Sequence, residues 1–363
     1  MYKVISKLLI VVQFTILSSC VSGNYNEQVL TYEDLKNKSE LLYDLQTLVG
    51  QAEYVPLETT DISMIKYIEK VEIDSEHIYV LSESRLLVFN REGEFLYRIG
   101  NKGFGPEETA SIISFAIDRT DKTIYALDLI RQRISIYDKD GNYIESMPYP
   151  EGQPVQIDIQ HDVIYLAYLV FMGTENYKLM AIDKRGVVKM KSRNDIKFQG
   201  ESPFVVSNYK FIQLLGDEMI YRQNFNDTIY TCRYANLSLS TRYLFDFGSM
   251  KPPYSILGNS MAFEQKERSY AFIKDVTESP IHIFLYLQVG GKDVRFIKEK
   301  KNSKTYLLAE NGLSFWPYWY SDGCLIGFYS IQHINGRSIK DGRLKNVVEG
   351  MKADSNPILS IIK

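Results

Sequence analysis

The sequence predicts an all-β protein, a six-bladed β-propeller closed by pairing of its N- and C-terminal strands, on three observations. A hairpin turn ending in glycine recurs as Asn90-Arg91-Glu92-Gly93, Asp138-Lys139-Asp140-Gly141 and Asp183-Lys184-Arg185-Gly186, the first residues being 48 and 45 positions apart. That period belongs to four-stranded propeller blades rather than to helical solenoids. A short apolar strand also opens six times after a polar turn, at Ile78, Ile124, Ile164, Met219, Ile281 and Cys324. Finally, Glu53-Tyr54-Val55-Pro56 near the start and Ile358-Leu359-Ser360-Ile361-Ile362 at the end are strands without a local partner. Pairing them closes the ring and removes an edge that would otherwise recruit other chains.

Residues 1–19 read as a lipoprotein signal peptide and are set aside from the fold. Lys3 and Lys7 supply the positive region, residues 8–17 the apolar run, and Leu17-Ser18-Ser19-Cys20 the shape of a lipoprotein cleavage box. Cys20 is the expected lipidation site. An ordinary secretory signal with an incidental cysteine, or an uncleaved anchor, are the alternatives, but the run is short for a span and polar residues follow at once. Residues 20–50 are then a lipidated linker with a short helix, since Leu35, Leu41, Leu42, Leu45 and Leu48 fall on one face. Residues 51–363 are the propeller.

Pro56 cannot donate to a sheet ladder, so the strand containing it belongs at a sheet edge. The archetypal unit follows in residues 78–108: strands at Ile78-Tyr79-Val80-Leu81, Leu86-Leu87-Val88-Phe89 and Phe95-Leu96-Tyr97-Arg98-Ile99, with Gly93 supplying the positive φ of the tight turn. Gly100, Gly103 and Gly105 lack the spacing and the lysine of a P-loop and read as the link to the second blade. Between the fourth and fifth openings the period stretches. Residues 261–279 carry Phe263, Glu267, Tyr270, Ala271 and Lys274 at near-helical spacing, which predicts an inserted helix.

The 363 residues carry a net charge of −3, with 45% hydrophobic residues, which gives a sizeable core and none of the basic field on which nucleic-acid binding relies. Lys298 to Lys301 reads as a solvated hairpin tip. Besides Cys20 there are only Cys232 and Cys324. A disulfide between them is open to an exported protein, but their strand contexts two blades apart favour separate buried thiols.

Several pieces together resemble a known family: Glu53-Tyr54-Val55-Pro56-Leu57-Glu58, Val88-Phe89-Asn90-Arg91-Glu92-Gly93 running into Gly100-Asn101-Lys102-Gly103-Phe104-Gly105-Pro106, Asn226-Asp227-Thr228-Ile229-Tyr230, Phe245-Asp246-Phe247-Gly248 and Asn356-Pro357-Ile358-Leu359. Their order is similar to that of the six-bladed β-propeller lipoproteins, NHL-repeat-like proteins of the bacterial envelope that are mostly of unknown function. The resemblance implies the fold and an envelope location, and it carries no catalytic residue over to this chain.

Chemistry is faint in the sequence. Asp138-Lys139-Asp140-Gly141 lacks the glycine and glutamate positions of an EF-hand loop and repeats as a plain turn in two other blades. His77, His161, His282 and His333 show no metal-ligand spacing, and no nucleophile elbow occurs. Neither a catalytic residue nor a metal or other cofactor is therefore expected. The suggestive surface is Phe315-Trp316-Pro317-Tyr318-Trp319-Tyr320, which holds both tryptophans. Trp316, Tyr318 and Trp319 are candidate ligand contacts because aromatic faces stack on sugar rings and peptide side chains. The competing reading is an inner strand of the sixth blade with its aromatics wedged between sheets.

The expectation is thus a lipid-anchored protein of the cell envelope, held at the outer membrane, acting as a ligand-binding or protein-interaction module through the mouth of its axial channel. Its partners would be the membrane, through the anchor, and a glycan, peptide or protein ligand, with no nucleic acid. The alternative is a propeller enzyme, a lyase or hydrolase acting on glycans or peptides. A third reading is a structural subunit of a larger outer-membrane assembly. Carboxylates and histidines converging at the channel mouth would favour the enzyme.

Overall fold

In a computed structural model describing residues 28–200, 210–309, 313–334 and 337–363, the strands form six four- or five-stranded sheets around one axis. Blades 1 to 3 are simple antiparallel meanders, over Lys70–Ile73, His77–Ser82, Arg85–Asn90 and Phe95–Ile99 in blade 1, for instance. The six expected strand openings all fall at or next to the start of a second strand. These strands are rich in β-branched and aromatic residues and are buried on both faces, as Val80, Leu127, Leu166 and Leu285 show. Neighbouring blades share cores: Tyr79, Leu81 and Val88 of blade 1 pack with Phe115, Ile124 and Tyr137 of blade 2. Each such side chain contributes about 1.5–3 kcal/mol of burial.

The repeated turn has one design in three blades. Oδ1 of Asn90 accepts from the N–H groups of Glu92 and Glu94, Oδ1 of Asp138 from those of Asp140 and Asn142, and Oδ1 of Asp183 from those of Arg185 and Val187. The first position therefore demands Asn or Asp, whose side chain can cap its own turn. Asp138 holds its turn by the same contacts as Asn90 and Asp183. Gly93 is doubly constrained, because its φ is +92° and a Cβ there would lie 2.3 Å from the Pro56 carbonyl oxygen.

Around the axis the innermost strands splay apart, so their inner backbone edges need other partners. Polar side chains provide them at every blade junction. Lys70 donates to the Phe115 carbonyl at 2.6 Å, and Ser114 accepts from the Ile157 N–H at 3.2 Å. Gln156 both donates to the Ile212 carbonyl and accepts from the Phe211 and Ile212 N–H groups; Gln213 brackets the Glu278 backbone in the same way. Thr277 donates to the Tyr318 carbonyl at 3.3 Å, and Ser321 accepts from the Ile73 N–H at 3.0 Å, returning to blade 1. The inner ring is polar because it must tie blade to blade.

The N-terminal stretch departs from expectation. Instead of one helix bearing Leu35 to Leu48, strand β1 (Gln28–Thr31) adds in parallel to the outside of blade 4, helix α1 (Tyr32–Lys38) turns back, and strand β2 (Glu40–Leu42) adds in parallel to blade 5. A single-turn helix α2 (Gln46–Val49) leads to strand β3 (Glu53–Pro56), the outermost strand of blade 6. Pairing with open blade edges outweighs the helical pattern, and Leu41 is left 53% exposed as a result. β3 pairs with Ile358–Ile362, so the ring closes through both ends and Pro56 sits at an edge. Asn356, fully buried, clips this closure: its Oδ1 accepts from the Ile65 N–H at 2.7 Å, and its Nδ2 donates to the Glu58 and Ser63 carbonyls at 2.7 and 2.9 Å.

The inserted helix is present but shorter than its pattern, and the lysine cluster is corrected. Of residues 261–279 only helix α3 (Ser260–Lys266) and a following 3-10 turn are helical; Ala271–Glu278 is the innermost strand of blade 5, its Phe272, Ile273 and Val276 preferring a pleated, buried surface. Lys298 is buried and Lys300 pairs with the fully buried Glu278 at 2.7 Å, which leaves Lys301 as the exposed member of that cluster. Cys232 and Cys324 are separate buried thiols.

Strand polarity distinguishes the two faces of the disc. One carries the tight turns after the first and third strands of the blades, and is called the turn face. The other carries the long connections, including residues 57–69, α3, and the helices α4 (Ile331–Ile334) and α5 (Gly342–Glu349) inserted between the last two strands of the chain.

Candidate functional site

The innermost strands enclose an axial cavity of about 1180 Å³, lined by residues from all six blades. Because side chains alternate along a strand, the residues that reach the axis are those between the apolar ones that pack blade on blade. They are mostly charged or amide-bearing.

On one side Lys70 faces three oxygens: Phe115 O at 2.6 Å, Glu72 Oε1 at 2.8 Å and Asp158 Oδ2 at 3.7 Å. Arg119 binds Glu72 Oε2 at 3.1 Å, Ser321 Oγ at 2.8 Å and the Ile73 carbonyl at 2.7 Å. Burial pushes the Asp158 carboxyl up to about 6 against the opposing pull of Lys70. Lys70 shows the opposite balance: burial disfavours its charge, but Asp158 and Glu72 prevail and hold it above the ordinary lysine range. Across the channel Lys210 donates to Asp275 Oδ2 at 2.9 Å and to Thr277 Oγ1 and the Tyr318 carbonyl, both at 2.6 Å. Burial lowers its affinity for a proton despite Asp275.

The aromatic part of the wall comes from blade 6, where Trp319–Ser321 is the innermost strand. Tyr318, Trp319 and Phe328 form a cluster with ring centroids 5.3–5.9 Å apart, all partly exposed and all on the cavity wall. Trp316 is elsewhere. It is 4% exposed and packs edge-on against Phe284 at 5.9 Å, with Arg295 over its ring at 5.5 Å. The three candidate contacts are therefore split, Tyr318 and Trp319 on the wall and Trp316 in the core behind it. Cys20 lies outside the described residues.

The histidines do not meet. His161 approaches Asp217 at 3.3 Å on the turn-face rim, His77 lies 3.8 Å from Asp74, His282 is buried in blade 5, and His333 caps onto Ser330. Among the described residues no group of three or more His, Cys, Asp or Glu side chains is placed to hold a metal ion. No helix among them is long and apolar enough to cross a membrane.

Sequence reasoning missed the charged axis, although a signal existed. Glu72, Asp158 and Gln213 each stand six residues before the opening residues Ile78, Ile164 and Met219. A polar residue at one fixed offset in an otherwise apolar strand marks the axial position.

Comparison with known proteins agrees with this architecture. A candidate exported protein (BF0058) from Bacteroides fragilis NCTC 9343 has a similar structure, with a TM-score of 0.75 at 17% identity, covering 93% of this chain and 99% of that one. A member of the DUF4221 family from Bacteroides vulgatus gives a TM-score of 0.57 at 14% identity, covering 90% and 98%. At such identities the likeness is one of fold. Among curated proteins no significant match is found. Residues 28–363, the whole propeller with its N-terminal strap, match the domain of unknown function DUF4934, and the chain belongs to that family.

Proposed function

We propose that this propeller is a binding module of the bacterial cell envelope that takes its ligand in the axial cavity. The observation that carries the reading is the wall itself: partly exposed Tyr318 and Trp319 face a chamber of about 1180 Å³ whose lining mixes apolar side chains with buried, ion-paired polar ones such as Lys70, Glu72, Asp158 and Lys210. Concave sites of this size, mixing aromatic area with a few fixed polar groups, suit small molecules and chain ends rather than flat protein surfaces. Trp316 supports the aromatic wall from behind.

The anchor completes the proposal. The charged and apolar run before Leu17-Ser18-Ser19-Cys20 supports export and lipidation at Cys20, the exported character named for the Bacteroides fragilis relative agrees, and the outer membrane is the proposed location. β1 runs from the turn face toward the opposite face, being parallel to the outermost meander strand of blade 4. The eight peptide steps from Cys20 to Gln28 reach at most about 29 Å. A lipidated Cys20 would thus hold the turn face toward the membrane and present the face with the insertions outward.

A second reading is an enzyme, a lyase or hydrolase acting on glycans or peptides. It rests on Asp158, a buried carboxyl pushed up to about 6 beside Glu72 and Lys70, which is the protonation behaviour of a general acid. A thermal-shift screen of the chain from Gly23 onward against glycans, peptides and divalent metals tests the binding proposal, since a ligand of the native state raises the melting temperature. A saturable shift abolished in Trp319→Leu supports the axial site. Turnover of the same ligand, lost in Asp158→Asn, would replace the module by the enzyme.

A further inference from the structure

Taking the axial cavity as the binding site, we infer that its ligand is an uncharged, hydroxyl-rich molecule, an end or short stretch of a neutral glycan. The inference comes from which hydrogen-bonding capacity the cavity has already spent. At the buried heart of the channel Lys70, Arg119 and Lys210 stand against Glu72, Asp158 and Asp275, each within 4 Å of an opposite charge, while Glu69, Asp118, Lys122, Asp217 and Asp322 also line the wall. Each lysine and arginine on the wall is therefore already matched by a carboxylate, Lys122 by Asp74 at 3.4 Å, and carboxylates outnumber these cations.

The lysine and glutamine donors are committed. The Lys210 ammonium has three oxygens at 2.6–2.9 Å, one for each of its N–H bonds, and the Lys70 ammonium faces three as well. The amides of Gln156 and Gln213 are consumed in tying blade to blade. An anionic ligand, whether phosphate, sulfate or carboxylate, would have to strip a lysine from its buried carboxylate, leaving an uncompensated charge behind. Acceptors are in surplus. A carboxylate offers about four lone-pair sites, and Asp275 and Asp158 each use one oxygen on a backbone N–H and the other on a lysine. Remaining capacity on these and on Glu72 suits ligand O–H donors, which add bonds without breaking any pair.

The aromatic cluster points the same way. Tyr318, Trp319 and Phe328 present partly exposed rings beside these acceptors, and a pyranose offers an apolar C–H face to such rings while its hydroxyls point sideways. An organic cation would also stack, but Glu72, Asp158 and Asp275, the buried carboxylates it would meet, are already paired with lysine or arginine.

The test is calorimetric titration of the chain from Gly23 onward with a panel of neutral oligosaccharides, the same backbones bearing uronic or sialic acid, inorganic phosphate, and spermidine. The expected result is saturable binding of at least one neutral oligosaccharide and at least tenfold weaker binding of its acidic counterpart. Asp158→Asn, which keeps shape but converts acceptor to donor, should weaken it about tenfold, as loss of one bond to a charged group does, and Trp319→Leu should weaken it further, each variant first shown to melt cooperatively. If an acidic glycan, phosphate or spermidine binds as tightly and is still weakened by Trp319→Leu, the site stands and the ligand class is overturned. If a neutral glycan binds but neither substitution alters its affinity, the axial site itself is refuted. No binding by any neutral member at millimolar concentration also overturns the ligand class.

Discussion

Replacing Asn356 with Ala should destabilise the whole propeller, although the residue lies far from the axis and touches no ligand surface. Its side chain is fully buried and makes three hydrogen bonds, to the Ile65 N–H and to the Glu58 and Ser63 carbonyls, across 291–298 positions of sequence. Glu58 O keeps a second donor in Ser63 Oγ at 2.8 Å, so truncation strands mainly the Ile65 N–H and the Ser63 carbonyl. An orphaned buried group costs about 1–3 kcal/mol. Two of them, with the small cavity left behind, amount to about 3–5 kcal/mol. For a domain larger than 250 residues, a kilocalorie moves Tm by roughly 2 °C, which puts the loss near 6–10 °C. Asn356→Asp keeps the acceptor for Ile65 and should fall between. The assay is urea denaturation followed by tryptophan fluorescence, with a calorimetric melt beside it. A loss below about 1 kcal/mol for Asn356→Ala would refute the idea that this residue fastens the ring. Deleting residues 356–363 removes the paired strand as well and should lower the melt by more.

The other expectations concern single groups. Gly93→Ala meets both a positive φ and the Pro56 carbonyl at 2.3 Å, whereas Gly186→Ala, at the equivalent turn, meets nothing nearer than Met147 Sδ at 3.9 Å; denaturation should show the first costing at least about 1 kcal/mol more than the second, and equal costs would contradict the contact between blades 6 and 1. Asp158 binds its proton more tightly folded than unfolded, so its contribution is fully present below pH 4 and is lost as pH rises through about 6. Stability of Asp158→Asn relative to the parent should therefore improve by about 2–3 kcal/mol between pH 4 and 7, and a pH-independent difference in melting would rule out a raised folded-state affinity. Cys20→Ser should release the protein from the membrane fraction; unchanged fractionation would refute lipidation.

The fold was legible because its signals are local. A turn whose Asn or Asp caps its own backbone and whose glycine needs positive φ must repeat in sequence whenever it repeats in space, and Asn90, Asp138 and Asp183 do so. Strands such as Val163–Tyr168, buried along their whole length, announce themselves as apolar runs. Two things were hidden. The strap at 28–42 owes its form to open edges supplied by Leu239–Asp246 and Thr305–Leu308, and no periodicity within Tyr32 to Leu48 records those distant partners. The innermost strands were hidden for the opposite reason. Lys70, Glu72, Gln156, Asp158 and Asp275 break the apolar pattern because they serve the axis, and Ala271–Glu278 therefore resembled a helix. Within the aromatic segment the sequence could not separate Tyr318 and Trp319 from Trp316, since a proline between them reverses no pattern that would say which ring meets solvent.

Whether the axis is the site is tested most directly by amide hydrogen exchange, with and without the compound that gives the largest rise in melting temperature. Binding in the channel predicts added protection in residues 67–72, 155–160 and 318–322, the innermost strands of blades 1, 3 and 6 and the segments leading into them. Protection confined to the outermost strands or to the insertion helices α4 and α5, with the innermost strands unchanged, would place the ligand elsewhere and contradict the account.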